Sequence, residues 1–138
     1  MQLRTLSFFL LAGLSTALQA QVAVVVNPKA GVDSLSNEQV AAFFLGKASS
    51  LPGGLSQALD LPEAHAARDH FYAKGAGKSA SQVKATWARL AFSGKATPPK
   101  ELGNAAEVKK FVGSHADAVG YIEKSAVDGS VKVVLTIE

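Results

Sequence analysis

The chain has 138 residues, with 14 Lys and Arg against 11 Asp and Glu, a formal charge of +3 and no cysteine. Without cysteine there can be no disulfide, no thiol chemistry, no Cys-based metal or haem site and no lipoprotein anchor. The basic residues are scattered among acids rather than gathered in a stripe with interleaved aromatics, a pattern that speaks against nucleic acid as a partner.

In chain order, the first segment is MQLRTLSFFLLAGLSTALQA. A single charge, Arg4, precedes an apolar run from Leu6 to about Leu14, and small residues follow at Ala17 and Ala20. This is the layout of a cleavable secretory signal, and the run is too short for a membrane span, which takes roughly twenty residues. Cleavage is expected after Ala20. Residues 21–138 are then expected to form one domain that works outside the cytoplasm, free in solution.

Val22 to Val26 is a continuous apolar, mostly β-branched run that stops at Asn27-Pro28, the pattern of a buried strand. Ser36 and Gln39 form a capping box for a helix with Val40, Phe43 and Phe44 on one face, ended by Gly46. A second strand is predicted over Ser56 to Leu61. Pro62 then starts a helix carrying Glu63, Arg68, Phe71 and Tyr72, which Gly75 and Gly77 break. A second capping box, Ser79 and Gln82, opens the next helix, where Val83, Trp87, Leu90 and Ala91 recur at amphipathic spacing ahead of Gly94.

A polar, proline-containing link from Lys95 to Gly103 follows. Asn104 and Glu107 repeat the capping pattern for a helix with Val108, Phe111 and Val112 inward and Gly113 at its end. Ala118 to Ile122 and Val131 to Ile137 read as strands. The alternation predicts an α/β domain with a small, largely parallel sheet flanked by about four helices.

The motifs that carry chemistry are few. Gly77-Lys78-Ser79 resembles the end of a phosphate loop, but Tyr72 stands where the first glycine is required and a helix precedes it, so no nucleotide is expected. His65 and His70 are five apart, not the four that would align two imidazoles on a helix, and no metal or other cofactor is expected. No nucleophile motif is present, and the protein is read as non-enzymatic.

Two places could hold an anion. One is the helix start at Ser79, beside Lys78. The other is the strand-to-helix junction where Asp60, Glu63 and Arg68 meet, since open α/β sheets place ligands there. Arg68 can grip an oxyanion through two parallel hydrogen bonds, or pair with a neighbouring acid such as Glu63 or Asp69.

The segments LSNEQVAAFFLGK, LPGG, DLPEAHAARDHFY, ATWARLAFSGKATPPKELGN and AVGYIEKS, in this order and spacing, resemble short relatives of the periplasmic phosphate-type substrate-binding proteins of the type 2 periplasmic-binding superfamily. The resemblance covers nearly all of residues 21–138. It implies a single lobe of a clamp that closes on an oxyanion, with Arg68 and the backbone of Glu63, Ala64, His65 and Ala66 as contacts, and Ser79 or Asn27 as further ones. Relatives offer hydroxyl side chains before the arginine where this chain has Ala64, His65 and Ala66.

The implied ligand is a small oxyanion such as phosphate. The implied partners are an ABC uptake component, a membrane sensor or a second copy in a homodimer. The alternative reading is an envelope interaction module that keeps the lobe and has lost the ligand.

Overall fold

The computed structural model describes residues 21–138. The expected leader, Met1 to Ala20, and the expected cleavage after Ala20 lie outside the described residues. Among the described residues no helix is long and apolar enough to cross a membrane.

One five-stranded sheet has the order β3-β2-β4-β1-β5. Its strands are β1 (Val22–Val26), β2 (Gln57–Asp60), β3 (Lys100–Glu101), β4 (Ala118–Glu123) and β5 (Lys132–Ile137). β2 pairs in parallel with β3 and β4, whereas β1 runs antiparallel to β4 and β5. Four strands therefore share one direction and β1 alone opposes them. With neighbours on both edges and helices over both faces, β1 buries every one of its residues, which is why its sequence is apolar without alternation.

The helices are α1 (Asn37–Phe44), α2 (Ala66–Ala76), α3 (Ala80–Phe92) and α4 (Ala105–Ser114). α2 packs over β4, β1 and β5, while α4 lies against β4 and β1. Two neighbours on β4 show that these are opposite faces, because successive side chains point to opposite sides of a sheet. Tyr121 stacks on Phe71 of α2 at 4.0 Å between ring centroids. The adjacent Gly120 leaves room for Val108 of α4, whose Cγ1 lies 2.7 Å from where a Cβ would stand. α1 shares the α2 face, with Phe44 at 4.8 Å from the Phe71 ring.

Both capping boxes form as the sequence predicts: Ser36 and Ser79 accept from the backbone of Gln39 and Gln82, whose side chains accept in return. At α4 the box is shifted by one residue, since Asn104 accepts from Glu107 N–H but Glu107 accepts from Gly103.

Three expectations need correction. Pro62 does not start α2. Residues 62–65 make a turn closed by His65 N–H to the Pro62 carbonyl, and the His65 ring caps the helix. Gly75 lies inside α2, where its missing side chain admits Ile137 of β5, and Gly113 lies inside α4. The link from Lys95 to Gly103 contains β3, two exposed residues with no apolar pattern to announce a strand.

α3 is the least buried helix. Only Val83 of its stripe is buried, Trp87 and Leu90 are half-buried, and Ala91 is exposed. It docks on the end of α1, where Trp87 Nε1 donates to the Phe44 carbonyl at 3.0 Å. Gly46, at φ +75°, lies under that contact: a Cβ there would stand 2.6 Å from Leu90 Cδ1 and 3.0 Å from the Trp87 ring. Gly46→Ala therefore combines a left-handed backbone with overpacking and should destabilise the protein by about 2–3 kcal/mol. Chemical denaturation measures the loss. Trp87 is the only tryptophan, so a red-shifted emission in the folded variant would locate it at the α1–α3 contact.

Candidate functional site: the Asp60 and Arg68 junction

β2 ends at Asp60, and its last side chains leave the sheet where α2 begins. Alternation sends Leu59 to the α4 face and Asp60 to the α2 face. Asp60 is the one buried charged side chain among the described residues, at 4% exposure. Burial of a carboxylate is tolerated only when its lone pairs are filled. Here Tyr72 of α2 donates to Oδ2 at 2.6 Å, Tyr121 of β4 donates to Oδ1, and Leu61 N–H donates to Oδ1 at 2.9 Å. Three elements are thereby tied to one carboxylate.

Arg68, in the first turn of α2, completes the cluster. Its Nη1 donates to the Leu61 carbonyl at 2.8 Å and stands 3.7 Å from Asp60 Oδ2, with the guanidinium 5.6 Å from the centre of the Tyr72 ring. Its partner is thus Asp60, neither Glu63 nor Asp69. Burial foremost, and then the charge of Asp60, push the Tyr72 and Tyr121 phenols far above their ordinary ionisation range. Both hydroxyls are thereby held as donors well beyond the pH at which a free phenol ionises. They hold the carboxylate, and the carboxylate in turn orients Arg68. A guanidinium has five N–H donors, and the two contacts seen here involve only Nη1, so the group retains capacity for an oxyanion.

Arg68 opens on a small cavity of about 190 Å³, lined by Asp60, Glu63, Lys84, Trp87 and Glu101 among others. Lys84 adds a second cation and Glu101 a carboxylate. Neither was singled out from the sequence, because α3 and β3 reach this junction only through the tertiary fold.

The other sequence candidates fall in three places. Glu63 is exposed on the cavity wall, and Ala64 and Ala66 are exposed in the turn and first residue of α2. His65 sits between them but is engaged: Nδ1 accepts from Ala67 N–H at 3.2 Å, and Nε2 lies 3.3 Å from Glu123 Oε1. With its Nδ1 accepting, the ring turns its Nε2 proton to Glu123 and not to the Arg68 cavity. Ser79 is occupied in the α3 capping box. Asn27 lies at the opposite end of the sheet, because β1 runs against β4 and finishes opposite Val119 and Lys132, at the starts of β4 and β5. Its amide donates to the Val112 and Gly113 carbonyls and closes the end of α4. The structure therefore gathers Arg68 and Glu63 at one cavity, with Ala64 to Ala66 beside it, and separates Asn27 from them.

No family model matches the chain, and no curated protein matches it. Solved structures do. An ABC-type phosphate transport receptor from Vibrio cholerae superposes with a TM-score of 0.63 at 20% identity, over 83% of this chain and 46% of that one. This chain shares its fold with the phosphate-transport receptors. A substrate-binding protein from Clostridium perfringens, solved with bound phosphate, gives a TM-score of 0.65 at 20% identity over 83% and 45% of the two chains. PstS from Borrelia burgdorferi gives 0.59 at 10% identity over 83% and 47%. The chain spans less than half the length of each of these structures.

Proposed function

We propose that the protein is an exported, non-enzymatic solute-binding protein whose junction at Arg68 takes a small oxyanion of the phosphate type. The observation that carries this reading is the guanidinium itself. It is held at the carboxyl end of a parallel strand by Asp60 and the Leu61 carbonyl, with donors to spare and a cavity of oxyanion size beside it. The fold shared with phosphate receptors supports it, as does the leader pattern at Met1 to Ala20 for export.

Binding is expected to be weak. Glu63 and Glu101 on the wall repel an anion, and the open side of the cavity leaves its charges screened by water. Calorimetric titration of the purified protein with phosphate and sulfate should show saturable heat that falls at least about tenfold in affinity for Arg68→Ala, since charge-assisted bidentate contacts are the strong ones. Equal affinity in the variant, or no binding by the folded wild type, would overturn the site.

A second reading, an envelope interaction module docking on a transporter, a sensor or a second copy, is favoured by one feature. Phe92, at the end of the thinly covered helix α3, is 96% exposed.

A further inference from the structure

Beside the Arg68 cavity lies a larger groove of about 740 Å³. Trp87, Pro98 and Pro99 line both, so the two spaces share one apolar wall. Three lysines from three separate segments line the groove: Lys47 just beyond α1, Lys95 just beyond α3 and, at its edge, Lys100 of β3. All three are exposed, and one carboxylate, Asp117, faces them.

Among the described residues none of the three lysines forms an ion pair, whereas Lys109 and Lys132 pair with Asp128 and Asp33. Lys100 turns its ammonium over the Phe111 ring of α4, at 5.5 Å, so Lys47 and Lys95 carry the charge that faces the groove. A concave surface with two facing cations to one anion raises the local concentration of negatively charged ligands. Lysine serves phosphate as a point charge, without the fixed planar geometry arginine demands.

The size and the walls narrow the ligand class. Small-molecule sites run to about 300–1,000 Å³, a range that holds this groove and not the Arg68 cavity. Bare phosphate would leave most of the groove filled with water. Trp87, Pro98, Pro99 and Phe43 supply an apolar wall that only an organic body can use.

We infer that this groove is a second binding site, separate from Arg68, for a small organic molecule that carries a phosphate or comparable dianionic group. The lysines hold the charged end, and the organic body lies against Trp87 and the proline pair.

Trp87, the sole tryptophan, reports directly on the groove. The test is a fluorescence titration with cyclohexyl phosphate, which does not absorb where tryptophan does, with cyclohexanol and inorganic phosphate as comparisons. It is run on wild type, on Arg68→Ala and on the triple variant Lys47→Gln, Lys95→Gln, Lys100→Gln. Cyclohexyl phosphate should shift Trp87 emission saturably in both wild type and Arg68→Ala, and bind about tenfold or more weakly to the triple variant. Cyclohexanol should bind at least about tenfold more weakly than its phosphate ester, because it leaves the lysines without a partner.

Loss of the signal in Arg68→Ala would assign the ligand to the junction and overturn the second site. An unchanged affinity in the triple variant, or no saturable shift in wild type, would overturn it equally. Inorganic phosphate binding that persists in the triple variant and vanishes in Arg68→Ala would uphold the junction by itself, so the two sites fail independently. Lys95→Glu, a single exposed substitution, should weaken binding in the same direction should the triple variant not fold.

Discussion

Asp60→Ala should lower the stability of the folded protein by about 3–5 kcal/mol, the range found when one partner of a buried ionic cluster is removed. The carboxylate accepts from Tyr72, Tyr121 and Leu61, and its loss strands the two buried phenols and leaves Arg68 without its counter-charge. Asp60→Asn keeps one acceptor oxygen but turns an NH₂ group toward hydroxyls that are themselves donors, so a loss of about 2 kcal/mol is expected. Tyr72→Phe and Tyr121→Phe should each cost about 1–3 kcal/mol, and less than additively in the Asp60→Ala background because the three groups form one network. Urea or guanidinium unfolding at constant m-value measures all four. An Asp60→Ala protein within about 1 kcal/mol of wild type would show that the cluster does not hold the sheet to α2.

Alkaline pH should unfold the protein cooperatively, and tyrosinate absorbance should appear only with that unfolding. The chain has two tyrosines, and both donate to Asp60. Unfolded, each ionises near pH 10. Folded, burial and the neighbouring carboxylate keep both protonated well beyond that. Above about pH 10 the folded state therefore binds more protons than the unfolded state, and stability falls as pH rises, by about 1.4 kcal/mol per pH unit for each tyrosine. Below that pH the contribution is fully present.

With both phenols counted, a domain of ordinary stability, roughly 5–15 kcal/mol, is driven toward unfolding within a few pH units. The measurement is a pH titration following tyrosinate absorbance and far-ultraviolet circular dichroism together. Coincident transitions are expected. A tyrosinate signal near pH 10 with the dichroism unchanged would show that at least one phenol is not locked to Asp60.

The two proposed sites share a wall, and this bears on how the fold would work with a ligand. Trp87 is held to α1 through the Phe44 carbonyl and Gly46, and with the buried Val83 this narrow contact, rather than a broad apolar face, positions α3. Anything bound against Trp87 in either space meets this lightly buried helix.

Local chemistry determined most of the elements. Val22 to Val26 could be read as a buried strand because an apolar run without alternation needs cover on both faces, and the capping boxes at Ser36 and Ser79 mark helix starts through bonds made within four residues. The position of Arg68 at a strand-to-helix junction was legible from its place after a strand, and the phosphate-receptor likeness of the fold from motifs spread along the chain.

Only the tertiary structure decided the rest. Tyr121 reaches Asp60 across 61 positions, and Trp87 reaches Phe44 across 43. The antiparallel entry of β1 carries Asn27 to the far end of the sheet from Arg68, and strand direction is set by pairing, which a single strand's sequence does not encode. β3 exists because Leu59 and Asp60 offer it a free edge, not because Lys100 and Glu101 favour a strand. Lys47 and Lys95 look like ordinary solvated charges one at a time, and they come to line one groove only where the chain ends of α1 and α3 meet that edge.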